Sequence, residues 1–267
     1  MITGGTQGLG FATAALMAAR GAAGIVIVGR DRAKAERAAA DLSTTACRVV
    51  AVSEDLAVQG AADRIIDVTD VEFGRVDHVV NCAAATWRGT VWNSTDTMWD
   101  DILALNVRAP ARLITRAASL MNRESTPGSI VLVGSVAHHG GATMLYPYSA
   151  SKHALEGVVR NAGFSLLPHG IRVNLLNPGW MDTPAEHEVQ QRFHDAPEDW
   201  LTAAEAQQPT GRLLKPDEVA RAICFLASDE SGMMTGVSLD LDQTFPGTGD
   251  LPRPEPVADP APWESLG

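Results

Sequence analysis

Dense runs of lysine or arginine are missing from this sequence: 21 basic residues stand against 32 acidic ones, for a net charge of −11. Without a basic stripe the chain has little means of gripping a phosphate backbone, which argues against a nucleic-acid partner. Cysteine is scarce too. Cys47, Cys82 and Cys224 lie far apart, one is left over in any disulfide scheme, and none shows CxxC spacing. A disulfide framework and a thiolate metal site are therefore not expected, and reduced thiols in the cytoplasm fit best. The apolar stretch from Phe11 to Val28 is broken by Arg20 and by glycines and other small residues, with no basic region before it. It reads as helix, turn and strand, with no signal or membrane segment. There is no internal repeat, and the histidines lack partners at ligand spacing, so no metal is expected. What remains is a chain of 267 residues, 45% hydrophobic and 20% charged, suited to one globular core.

Hydrophobic patterning supplies the fold class. A strand stub at Met1-Ile2 precedes a glycine turn and a helix over about Leu9–Arg20, a strand at Ile25–Val28 and a helix over about Arg32–Leu42. Apolar strands recur near Arg48–Val52, His78–Asn81, Ser129–Val133 and Arg172–Leu176, separated by helical stretches at Ala57–Phe73, Ile102–Met121 and Ser149–Leu167. Pro216, Asp217 and Glu218 suit the first turn of another helix, before a last strand at Val237–Leu241. Short buried strands alternating with helices predict an α/β, Rossmann-like, doubly wound parallel sheet with helices on both faces. The expected catalytic domain spans residues 1–241, with residues 180–210 as an irregular substrate lid. A proline-rich arm follows over residues 242–267, carrying Pro246, Pro252, Pro254, Pro256, Pro260 and Pro262.

The first strand and helix are joined by Thr3-Gly4-Gly5-Thr6-Gln7-Gly8-Leu9-Gly10. Glycines there allow a tight turn and let backbone N–H groups approach a pyrophosphate at the helix N-terminus. The strand ahead of the turn is short, since a parallel strand usually runs about five residues. At the end of the second strand stands Gly29-Arg30-Asp31. An acid at this place bonds a free ribose hydroxyl and an arginine accommodates a 2′-phosphate, so Arg30 favours NADP while Asp31 keeps NAD open.

Tyr148 and Lys152 are four residues apart and share a helix face. Hydride addition to a carbonyl builds negative charge on oxygen, which a tyrosine can neutralise if a neighbouring cation lowers its pKa. Ser135 ends the strand Val131–Val133 by way of Gly134, at the carboxyl edge where parallel sheets hold ligands, and Asn106 is polar within an apolar helix.

Together TGGTQGLG, Asn81-Cys82-Ala83-Ala84, Asn106, Ser135, YSASK and Asn177-Pro178-Gly179 with Thr183 resemble, in order and spacing, the short-chain dehydrogenases/reductases, over about residues 1–241. The resemblance implies Tyr148 as general acid/base, Ser135 as partner of the substrate oxygen, Lys152 as the ribose-binding and pKa-lowering cation and Asn106 as proton-relay residue. It further implies cofactor contacts at Gly4, Thr6, Gln7, Gly8, Leu9, Gly10, Arg30, Asp55, Leu56, Asn81, Ala83, Pro178, Gly179 and Thr183. It departs from the family pattern in the short first strand and in N-C-A-A for N-N-A-G. Ala84 in place of glycine is expected to cost backbone freedom, and Cys82 to cost hydrogen bonding.

Substrate contacts are expected at His138, Thr143, Met144 and Trp180, with His139, Met181, His187 and Trp200 as further candidates; Trp87, Trp92 and Trp99 read as core or cover. The family resemblance implies a homodimer or homotetramer. The expected function is NAD(P)-dependent hydride transfer to or from a carbonyl or secondary alcohol of a small molecule such as a sugar or polyol. A non-catalytic nucleotide sensor or scaffold is the alternative, and an epimerase or dehydratase a third reading.

Overall fold

The computed structural model describes residues 1–244. Seven strands, β1 (Ile2–Thr3), β2 (Gly24–Gly29), β3 (Arg48–Ser53), β4 (His78–Asn81), β5 (Gly128–Val133), β6 (Ile171–Pro178) and β7 (Ser238–Leu241), form one parallel sheet in the order β3-β2-β1-β4-β5-β6-β7. Side chains alternate across it. Ile25 and Ile27 of β2 join the core on one face, with helices α1 (Gly8–Ala19), α2 (Arg32–Leu42) and α9 (Pro216–Ala227). Val26 and Val28 join the core on the other, with α3 (Ala61–Phe73), α5 (Ala109–Arg123) and α6 (Tyr146–Leu166). Both faces being covered explains why the strands read as continuous apolar runs.

The short first strand is compensated by its neighbours. Ile2 and Thr3 pair with both β2 and β4, and the ladder runs past them: Val80 N–H donates to the Met1 carbonyl at 2.9 Å, and Cys82 N–H to the Thr3 carbonyl at 3.1 Å. The strand order reverses direction between β1 and β4, so the crevice beyond their carboxyl ends is the ligand position of an open α/β sheet.

Three helices depart from the sequence expectation. The helix expected from Ile102 begins earlier, at α4 (Asp96–Leu103), with Thr95 Oγ1 accepting from Met98 N–H at 3.2 Å; it then passes through a π-helical turn, Ala104–Arg108, into α5. The segment 180–210, expected to be irregular, contains α7 (Pro184–His194) and α8 (Trp200–Ala206). The start signal for α7 is present in the sequence: Thr183 caps it, Pro184 opens it and Glu186 occupies the first turn. The proline-rich arm lies, from residue 245 onward, outside the described residues.

Candidate active site

At the β1–α1 turn, glycine is required by space as well as by backbone angle. Gly4 has φ +65°, and a Cβ on it would stand 2.9 Å from Ala83 N; a Cβ on Gly10 would stand 2.2 Å from the Gly4 carbonyl oxygen. Gly8, at φ +51°, has only Thr183 near its open side, at 3.8 Å. Gln7 precedes α1 in extended conformation without capping it, so the first N–H groups of α1 remain free for an anion. Thr3 Oγ1 donates to Asn81 Oδ1 at 2.7 Å, holding the turn against the end of β4. These features fit a dinucleotide pyrophosphate.

Around the adenosine end, Thr6 packs on Gly29, where a Cβ would meet its methyl at 2.5 Å. Asp31 spends its carboxylate on the helix cap, accepting from Lys34 N–H at 2.9 Å, while Lys34 Nζ reaches Gln7 Oε1. Arg30 is exposed and has no carboxylate partner among the described residues. Asp55 closes a local turn by accepting from Ala57 N–H at 2.9 Å, and Leu56 is buried in the core.

Tyr148 and Lys152 are both buried on α6, with the Lys152 ammonium 5.6 Å from the Tyr148 ring centroid. Lys152 Nζ donates to the Val133 carbonyl at 2.9 Å, which anchors it beneath the end of β5. Burial pulls its pKa down to about 8. Burial pushes the Tyr148 phenol up, opposed by a hydrogen bond with Ser135. The charges that act on the phenol are Arg88, which lowers it, and Glu186, which raises it. Arg88 and Glu186 each follow a motif closely, four residues after Ala84 and three after Thr183, but no spacing in the sequence relates either to Tyr148. Cys82, beside Lys152, is held neutral, its thiol pushed up to about 12 by burial.

Asn106 sits in the π-helical turn and is buried. Its Oδ1 accepts from Ala85 N–H at 2.8 Å, and its Nδ2 donates to the Ala85 carbonyl at 2.9 Å and to Ser151 Oγ at 3.0 Å. Ser151 Oγ donates in turn to the Tyr148 carbonyl at 2.7 Å. The wider π turn thus ties the strand of chain after β4 to the helix bearing Tyr148, as such turns often do at functional sites.

The substrate candidates separate. His138 turns inward, its Nδ1 2.7 Å from the Ser135 carbonyl oxygen. Thr143 and Met144 are exposed in the loop before α6, which is pinned by Gly89 N–H donating to the Met144 carbonyl at 2.9 Å. Trp180 stacks on Trp200 at 5.9 Å and donates to Glu186 Oε1 at 2.9 Å, so it packs with α7 and α8. Thr183 caps α7, accepting from Glu186 N–H at 3.1 Å; Gly179 N–H donates to the Leu241 carbonyl at 2.9 Å, which sets Pro178-Gly179 at the end of β6. Ala84 does not have positive φ, so its methyl is accommodated and the expected loss of backbone freedom carries no strain.

Residues 4–244 match the family model described as enoyl-(acyl carrier protein) reductase. The chain is 31% identical to the short-chain reductase protein NovJ of Streptomyces niveus, covering 91% of each. It is 32% identical to cis-4-hydroxycyclohexanecarboxylate dehydrogenase of Sinomonas cyclohexanicum, covering 91% of this chain and 94% of that one. A solved structure titled short chain dehydrogenase/reductase family protein superposes with a TM-score of 0.76 at 32% identity, covering 91% of this chain and 94% of the other.

Proposed function

This chain belongs to the short-chain dehydrogenases/reductases, oxidoreductases that act on hydroxy and keto groups with a nicotinamide dinucleotide, and on that footing we propose the roles of its residues and its cofactor preference. The observation that carries the reading is the shared burial of Tyr148 and Lys152 on α6, with Lys152 anchored on Val133 at the end of β5, the strand that leads to Ser135. The nicotinamide supplies or accepts the hydride when bound. Tyr148 gives its proton to the developing alkoxide in reduction, or takes the alcohol proton in oxidation. Ser135 holds the same oxygen in line. Lys152 supplies positive charge beneath the ribose and phenol, and Asn106 fixes the backbone that presents them. The uncapped start of α1 and the glycine turn hold the pyrophosphate.

NADP is the preferred cofactor in this reading. Asp31 is committed to capping α2, whereas Arg30 stands exposed at the end of β2 without a carboxylate partner among the described residues, as a 2′-phosphate requires. The substrate is a small carbonyl or hydroxy compound bound between the loop carrying Arg88 and the lid carrying Glu186 and Trp180. A polar substituent on it meets Arg88 or Glu186. The working form is a homodimer or homotetramer built on the outer face of α5 and α6. The decisive experiment is steady-state turnover of NADPH and NADH against cyclic ketones, keto acids and ketoses, for the wild type and Tyr148→Phe. Turnover by the wild type and a loss of about 100-fold or more in the variant, with cofactor binding retained, is expected; unchanged activity in the variant removes Tyr148 from the chemistry.

A further inference from the structure

The 3-10 turn that follows Ser135 carries two consecutive histidines whose rings lie 3.9 Å apart, His138 buried and His139 exposed. His138 Nδ1 is 2.7 Å from the Ser135 carbonyl oxygen. A carbonyl only accepts, so this nitrogen carries a proton, and in the neutral ring Nε2 is then a bare lone pair. That lone pair faces Glu156 Oε1 at 3.1 Å. Glu156 Oε1 already accepts from the Ser238 hydroxyl at 3.0 Å, so it has lone pairs to offer and no hydrogen. Two electron-rich atoms in such contact need a positive charge there, either the second proton that makes the ring an imidazolium or a metal cation.

The surroundings favour a doubly charged one. His139 Nε2 lies 2.6 Å from Asp240 Oδ2, and the other Asp240 oxygen accepts from Asn177 Nδ2 at 2.9 Å. Arg160 Nη2 lies 3.6 Å from Glu156 Oε2 and is the one guanidinium bridged to that carboxylate among the described residues. One donor atom from each of His138, His139 and Asp240 falls within 4.8 Å of the others. Zinc bonded to nitrogen and oxygen at about 2.0–2.1 Å sets tetrahedral donors ~3.3 Å apart, so movements on the order of 1 Å in the exposed His139 and Asp240 side chains complete the set.

We propose that His138, His139 and Asp240, with Glu156 beside them, form a binding site for a divalent transition-metal ion of the zinc class. Two imidazoles and a carboxylate select such an ion over magnesium or calcium. The bond from His138 Nδ1 to a backbone carbonyl is the outer contact that orients metal-binding histidines. Exposure of His139 and Asp240 gives the ion an entry path and leaves positions for water. Bound there, it fastens the turn after Ser135 to β7. The sequence hides this set because His139 and Asp240 are 101 residues apart.

The test is a titration of the tag-free, metal-stripped full chain with Zn²⁺, read by isothermal calorimetry and by metal content after dialysis, beside His139→Ala and Asp240→Asn. Both variants alter exposed side chains, and their folding is checked by circular dichroism. One equivalent bound by the wild type, weakened tenfold or more in both folded variants, with a metal-dependent rise in Tm confined to the wild type, supports the site. No stoichiometric binding means that a proton on His138 balances Glu156, and overturns it. Binding of equal strength in both variants places the ion on other groups, and overturns it as well.

Discussion

Lys152 is held in a place that works against its own charge. Its pKa falls from 10.5 to about 8 because it is buried, so below pH 8 the folded protein carries a poorly solvated ammonium. The sign follows from linkage: between about pH 8 and 10.5 the unfolded chain binds the extra proton, so this residue's contribution to stability rises with pH across that window. At pH 7 the cost is roughly 3 kcal/mol, at 1.36 kcal/mol per pH unit. Lys152→Met is therefore expected to raise Tm at pH 7 while abolishing turnover, which differential scanning calorimetry and an activity assay measure together. An unchanged or lower Tm would mean that the bond to the Val133 carbonyl outweighs the desolvation. Arg30 carries the second residue-scale prediction: Arg30→Ala should raise KM for NADPH about tenfold or more and leave that for NADH nearly unchanged. Equal effects on both cofactors would place the 2′-phosphate elsewhere.

Among the elements, the proposed lid and the π-helical turn carry the predictions. Lid helices α7 and α8 are bound to the body through a chain of contacts: Trp200 Nε1 donates to His187 Nδ1 at 3.2 Å, His187 Nε2 lies 2.9 Å from Asp182 Oδ1, and Lys215 Nζ donates to Asp182 Oδ2 at 2.8 Å. The Lys215 ammonium holds the Asp182 carboxyl below its ordinary range. Asp182→Asn is expected to loosen the lid, raising substrate KM several-fold and speeding limited proteolysis within 182–212; an unaltered cleavage pattern would deny the clamp. Asn106→Ala removes three buried hydrogen bonds and leaves both backbone groups of Ala85 without these partners, a loss of about 2–3 kcal/mol by chemical denaturation. These elements were unequally legible. Strands and the helices α1, α2, α5, α6 and α9 announce themselves by apolar period, whereas the Thr183-Pro184 start of α7 was obscured because Thr183 already had a role in the cofactor motif. Tyr148, Lys152 and Ser135 are readable because two spacings bring them together. Arg88, Glu186 and the His138–Asp240 cluster are not, since only the crossing of distant loops makes them neighbours.

On the scale of the whole molecule, α5 and α6 leave a groove of about 400 Å³ between them, lined by Ile114, Ala118, Ala162 and Leu166, and on another face of α6 Phe164 is 82% exposed. Sedimentation velocity is expected to show a dimer or tetramer, and Phe164→Glu to shift it towards monomer; a monomeric wild type would refute the assembly. The strand order has a consequence in time. β1 is the third of the seven strands across the sheet, yet its partner β4 is translated long afterwards, and the Thr3–Asn81 bond spans 78 residues. During synthesis the glycine turn therefore waits, unable to form its crevice until the chain has grown past Ala83. Until that pairing forms the turn lacks one wall of its crevice, so ligand-assisted folding can begin only after β4 has left the ribosome.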